Sequence, residues 1–392
     1  ALRFNNPDLN TTLKWMIPYP LYVMPAAVLG AVMLTQNKTF TLAKYNVISS
    51  LLLTGLTIAG VVITRSYSGP LIAQIFFPLV LLPVVLWLCF KNVPGRLSWP
   101  KRESMLEMAN YAVPLGLAST IGMIMLQTNK IVVSAMCTPE EFANYVNGAI
   151  EIPLIGIITG SISSVILVDM TTYVHKGKKK EAIDLFKKAS IKSATLLFPV
   201  MIFLFITAKP FIVTLYSEKY LESIVPFFIY LFVIPVRIVV YGAALMALGQ
   251  SRVILIRSIF DLLVNIVLSI FLVHFWGYLG AAIATVVTLY LWTVPFNLYK
   301  IGQGFGVSAW RVLPLKKLGY IFILCILSAP LAATHLFISD VAYFIQLTIA
   351  AFFYFPVITY ILIKKHLLDI PDNVMRFIPR FLRSILSREN NL

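Results

Sequence analysis

Apolar runs of membrane-spanning length recur along this chain at approximately 13–35, 42–64, 70–90, 110–134, 143–168, 189–208, 223–247, 252–275, 279–299, 318–338 and 341–363. Coiled as a helix, each run matches a hydrocarbon core about 30 Å thick. Backbone groups in lipid must satisfy their own hydrogen bonds, so only helices and closed barrels span a bilayer. The alternation of apolar and polar positions that a membrane strand needs is nowhere present in the runs. The expected fold is therefore an all-α polytopic membrane protein with about 11 transmembrane helices. Composition agrees, since 59% of the residues are hydrophobic and only 12% are charged, values a soluble domain could not carry without precipitating.

The formal net charge is +16, which could suggest a nucleic-acid partner until the cations are placed. Of the 32 lysines and arginines, 25 fall in the odd-numbered connections and the C-terminal stretch, and 5 in the even-numbered connections and the N-terminal piece. Lys130 and Arg237 are embedded in spans. Positive residues collect on the cytoplasmic side of a membrane, so the charge is a topology signal and no nucleic-acid partner is expected. The C-terminus is then cytoplasmic and Ala1 lies outside. A chain that opens on alanine, with no basic and apolar leader, is expected to lack an N-terminal part. A cytoplasmic native N-terminus would require an odd number of missing spans.

The connections are short, hold no paired carboxylates, phosphate loop or nucleophile elbow, and the whole chain has four histidines. No enzyme is expected. The odd set of Cys89, Cys137 and Cys325 has no metal-type spacing, so neither a disulfide framework nor a metal site is implied.

Several stretches carry local signals. Pro18, Pro20 and Pro25 should kink or break the first span. Pro94-Gly95 and Trp99-Pro100 mark the connection 91–110 as a linker between helical bundles. In 171–192, Ala182, Leu185, Phe186 and Ala189 share one face among lysines, as expected of a helix lying on anionic headgroups. The tail has the same character, with Phe377, Phe381 and Ile385 set against Arg376, Arg380, Arg383 and Arg388.

Function is more legible in the polar residues the spans contain. Arg237 follows Pro235 and stands about twelve residues, roughly 18 Å, from the break at Gly249. An arginine cannot reach out over that distance, so it faces the bundle interior or a wet cavity. Asp261 and Asn265 lie four residues apart on one face of the next span. Gln127, Asn129 and Lys130 sit within two turns of the outer edge of the fourth span. Glu151 lies about eight residues into the fifth, two before Pro153. A carboxylate at that depth is costly unless paired or protonated, so it could serve proton or sodium coupling. Purely structural pairs, Arg237 with Asp261 and Lys130 with Glu151, are the competing reading.

The runs YVNGAIEIPLIGIITGSISSV, LYSEKYLESIVPFFIY, IPVRIVVYGAALMALGQ and DLLVNIVLSIFL followed by GYLGAAIAT resemble the polysaccharide-biosynthesis membrane proteins. These are flippases of lipid-diphosphate-linked oligosaccharides such as O-antigen or capsule units, within the MATE-like superfamily. The resemblance is good over roughly 107–299 and extends to the rest by topology. It implies a MATE-like two-lobe bundle of 14 helices in the full protein, three of them missing at the front. Residues 1–95 would be the remainder of the N-terminal lobe, 96–109 a cytoplasmic linker, 110–300 the C-terminal lobe of six helices, 314–366 an extra helix pair and 367–392 the basic amphipathic tail. Family members often have an acid where this chain has Asn129, which makes Glu151 the better coupling residue.

The leading expectation is a bacterial inner-membrane flippase that moves undecaprenyl-diphosphate-linked repeat units by alternating access. Arg237, Lys130, Asn129, Gln127 and Asn147 would form its substrate cavity, and Glu151, Asp261 and Asn265 would carry ion coupling. No cofactor is implied beyond a proton or sodium ion. The expected partners are the lipid-linked oligosaccharide, anionic membrane lipids and other polysaccharide-assembly proteins. An ion-coupled drug/cation antiporter of the same superfamily is the alternative, although two embedded cations argue against a cavity for cationic drugs. A membrane polymerase or glycosyltransferase would need a catalytic loop that the connections do not offer.

Overall fold

A computed structural model of the chain describes residues 14, 17–65, 68–93, 101–338 and 341–368. The tail expected beyond 368, and 96–100 of the expected linker, lie outside the described residues. Nine helices among the described residues are long and apolar enough to cross a membrane, and the protein is a multi-pass all-α membrane protein. The shorter Tyr19–Thr35 and the interrupted Leu315–Ile338 stretch occupy the other two expected spans. The chain divides into two compact units, Ala1–Lys101 and Arg102–Leu392.

The first unit holds α1 (Tyr19–Thr35), α2 (Thr39–Thr64) and α3 (Ser68–Asn92). Its small core joins Leu29, Met33 and Val85, and the Tyr22 hydroxyl donates to the Ile75 carbonyl at 2.7 Å. Pro25 lies within α1, which continues through it rather than breaking.

The second unit begins with α4 (Arg102–Met136) and α5 (Pro139–Gly148). The turn between them is a capping box. Thr138 accepts from the Glu141 backbone N–H and the Glu141 carboxylate accepts from the Thr138 N–H at 2.8 Å, so two orphan donors are satisfied together. Then come α6 (Pro153–His175), α7 (Lys179–Ile206), α8 (Ala208–Tyr216), α9 (Ile224–Leu231), α10 (Tyr241–Ala247), α11 (Ser251–Trp276), α12 (Tyr278–Thr288), α13 (Val294–Phe305), α14 (Leu315–Leu327) and α15 (Tyr343–Lys364).

α7 corrects the expectation of a separate surface helix over 171–192. It is one unbroken helix of 28 residues, because no proline or glycine interrupts it before Pro199. Ala182, Phe186 and Ala189, which had the spacing of a headgroup-facing stripe, are buried in the main core. Residues 102–110 of the expected linker form the first turns of α4, and the division between the two units falls just before them.

α11 and α12 form a tight hairpin. A Cβ on Gly280 would run into the backbone carbonyl of Leu272, so only glycine permits this approach. Gly280→Ala should lower the thermal midpoint in detergent, because overpacking costs about 1–3 kcal/mol and outweighs the roughly 1 kcal/mol that alanine gains in helix propensity. Gly116→Ala, at a site open to at least 4 Å, should be neutral or mildly stabilising. An unchanged midpoint for Gly280→Ala would contradict the close approach.

Candidate functional site

Two spans of the second unit are broken, and both breaks follow from proline. Pro153 has no N–H to give the Ala149 carbonyl and disfavours helical geometry at Ile152, which is extended (φ −72°, ψ 117°). The fifth span is therefore split into α5 and α6, with Glu151 in the gap. Pro235 likewise cannot bond back to Leu231. Here α9 ends, a single turn Ile234–Arg237 follows, and α10 starts at Tyr241. The Phe232 carbonyl at this second break accepts from the Tyr290 hydroxyl at 3.0 Å. Non-helical backbone at membrane depth is tolerated where it is buried in protein or lines a cavity.

The two breaks meet. The Arg237 guanidinium donates to Glu151 Oε1 at 2.5 Å, and the two side chains are 50% and 47% exposed, so the pair is open to a cavity on one side. That cavity has a volume of about 620 Å³. α4, α6, α10, α11, α12 and the segment around Arg237 line it, and its charged groups are Glu151, Arg237, Arg257 and Asp261.

Arg257 and Asp261 form the second ion pair. They stand one turn apart on α11 with Nε to Oδ2 at 3.5 Å, and Asp261 also accepts from Thr293 Oγ1 at 2.9 Å. Thr293 can reach because residues Leu289–Thr293 form a π-helical turn between α12 and α13, a local widening often found at functional sites. The Asp261 side chain is only 9% exposed, against 22% for Arg257.

These contacts correct both structural pairings expected from sequence. Glu151 takes Arg237 rather than Lys130, because the two proline breaks face each other. Asp261 takes Arg257, its i−4 neighbour, rather than Arg237. Arg257 stands six residues into α11, near enough to the helix start to read as one of the cytoplasmic cations. Its side chain lies inward along the same face as Asp261, and the four-residue spacing was the signal available for it.

The other expected cavity residues are placed differently. Asn129 is buried and donates to Thr285 Oγ1 at 2.7 Å; Thr285 lines the cavity while Asn129 stands behind it. Gln127, Lys130 and Asn147 are not among the lining residues, Gln127 being exposed and Lys130 and Asn147 partly so. Asn265 is fully buried one turn beyond Asp261, and among the described residues its amide has no hydrogen-bond partner. Of the expected coupling residues, Glu151 and Asp261 therefore share the cavity and Asn265 lies outside its lining. Sequence reasoning missed Arg257, Thr293 and Tyr230, of which the last two carry no distinguishing signal in an apolar span.

A cavity that carries two guanidinium groups beside two carboxylates can bind an anion through the guanidinium donors. Arg237 spends one N–H on Glu151 and has further donors in its fork. Asp261 is already engaged by Thr293 and Arg257.

Comparison with known proteins places this arrangement. The solved structure of "Lipid II flippase MurJ, inward closed conformation" is similar over 91% of this chain and 75% of that one, with a TM-score of 0.57 at 15% identity. At that identity the likeness concerns the fold. No curated protein matches the chain. The sequence model of the family described as polysaccharide biosynthesis protein matches residues 1–225, more than half of the chain. This chain is a member of that polysaccharide biosynthesis protein family.

Proposed function

We propose that the protein is a flippase that moves a lipid-linked oligosaccharide, an undecaprenyl-diphosphate repeat unit, across the bacterial inner membrane by alternating access. Family and fold point to a transporter rather than an enzyme. The observation that carries the substrate class is the meeting of Arg237 and Arg257 in one cavity. Guanidinium groups stay charged and bind phosphate oxygens in a planar fork. Each guanidinium spends at most one N–H on its carboxylate partner and keeps further donors in its fork, as a diphosphate requires. A drug/cation antiporter would need the reverse.

In this reading residues 1–95 are the remainder of one lobe and 110–300 form the other, 96–109 joins them, and 314–366 is an accessory pair. The C-terminus is cytoplasmic, the basic stretches meet anionic lipid, and the flippase hands its product to other polysaccharide-assembly proteins. Cells without the protein should lose the surface polysaccharide and accumulate lipid-linked units that stay on the cytoplasmic face. Accumulation on the outer face would place the defect after translocation and reject the reading.

Coupling to a proton or sodium gradient runs through Glu151, with Asp261 and Asn265 as the deeper polar groups. A substrate anion that engages Arg237 draws the guanidinium away from Glu151 and frees the carboxylate to change partners. Glu151→Gln should therefore leave substrate binding in place and remove the dependence of transport on the ion gradient. Normal gradient-driven transport by Glu151→Gln across a pH series would exclude that role.

A further inference from the structure

The Arg237–Glu151 pair borders two spaces of different size. On one side is the cavity of about 620 Å³ that also holds Arg257 and Asp261. On the other is a separate pocket of about 100 Å³ between α6 and α9, walled by Ile152, Ile155, Gly156, Phe227, Leu231 and Ile234. Glu151, Thr159, Tyr230, Val233 and Arg237 line both spaces. An anion held by Arg237 thus has room and a second guanidinium ahead of it and a small, largely apolar slot beside it.

We infer that the apolar pocket is a subsite for the hydrocarbon that adjoins the diphosphate, taking the first isoprene unit of a polyprenyl diphosphate. The inference rests on the proposal that Arg237 contacts a diphosphate. The size fits: apolar cavities of about 150 Å³ take up a benzene ring, so ~100 Å³ suits a branched group of about five carbons. The chemistry fits as well. Apart from the residues it shares with the cavity, the pocket offers only Ile, Leu, Phe and Gly surface, from which water is readily displaced. A nucleotide-linked sugar has no such apolar group next to its diphosphate, so the pocket would select the lipid-linked form.

The test uses water-soluble probes on the purified protein in lipid nanodiscs. Dimethylallyl diphosphate carries one isoprene unit, and inorganic pyrophosphate carries none. Dimethylallyl diphosphate should bind about tenfold tighter or better, because each buried methylene group favours the bound form. Arg237→Ala should weaken both ligands. Gly156→Phe fills the pocket from a position where a Cβ meets nothing within 4 Å, and it should bring the ratio of the two affinities to about one. Gly156→Leu provides a smaller filling should the phenylalanine variant not fold, and it should reduce the ratio in the same direction. Equal binding of the two probes by the unmodified protein, or a ratio that survives both fillings, would overturn the subsite while leaving the diphosphate contact standing. Binding of neither probe would reject the diphosphate contact and the subsite with it.

Discussion

Replacing Arg237 with alanine is expected to stop export of the polysaccharide while protein remains in the membrane. The guanidinium is half exposed to the cavity, so its removal does not strand a deeply buried charge in the resting protein. It strands the substrate anion. Losing a charge-assisted contact whose partner is left unpaired costs on the order of 2–5 kcal/mol, enough to reduce binding by a factor of about thirty or more. Arg237→Lys should recover only part of the activity, because an ammonium lacks the planar fork. The competing account makes Arg237 a strut that fixes the two broken spans through Glu151. The exchange of Arg237→Glu together with Glu151→Arg separates the two. A strut restored in reverse would recover both protein level and export, whereas a substrate contact would recover the level alone. Export measured beside membrane protein level in the four strains decides between them.

Removal of Arg257 should act on the fold first. Its partner Asp261 is almost buried, and breaking a buried pair by deleting one member costs about 3–5 kcal/mol through the charge left behind. Arg257→Met should therefore give a clear fall in folded protein and a thermal midpoint lower by several degrees. The double change Arg257→Met with Asp261→Leu replaces both charges with apolar groups, which is often neutral or stabilising, and should bring the protein level back. Export should stay impaired, because the cavity then has one guanidinium instead of two. Recovery of full export in the double variant would reduce the pair to a structural role, and a single variant of unchanged stability would contradict the burial of Asp261.

The parts of this arrangement set by the bilayer could be read from the chain. Helix length against membrane thickness placed the spans. Helix breaks were legible only as prolines, and Pro25 and Pro153 show why that is insufficient: one is absorbed within a continuous helix and the other opens a gap. Pairing could not be read, since Glu151 and Arg237 are 86 residues apart and meet only because their gaps face each other. Arg257 stands six residues into its helix, a distance at which a side chain can snorkel, so its inward position has only the four-residue spacing from Asp261 as a mark. The π-helical turn that brings Thr293 to Asp261 has no sequence mark at all. The continuous α7 hid its core face among lysines, where a surface helix and a membrane-entering helix share one pattern.

The proposed flippase carries a lipid-linked diphosphate oligosaccharide through this cavity from one leaflet to the other. The most direct measurement is translocation of such a fluorescent substrate in proteoliposomes under an imposed proton or sodium gradient, scored by a quencher that reaches only the outer leaflet. The unmodified protein should transfer the substrate, and transfer should stop in Arg237→Ala and be blocked by excess unlabelled lipid-linked substrate. Transfer at the same rate in Arg237→Ala, or none by the unmodified protein under either gradient, would contradict the proposed function.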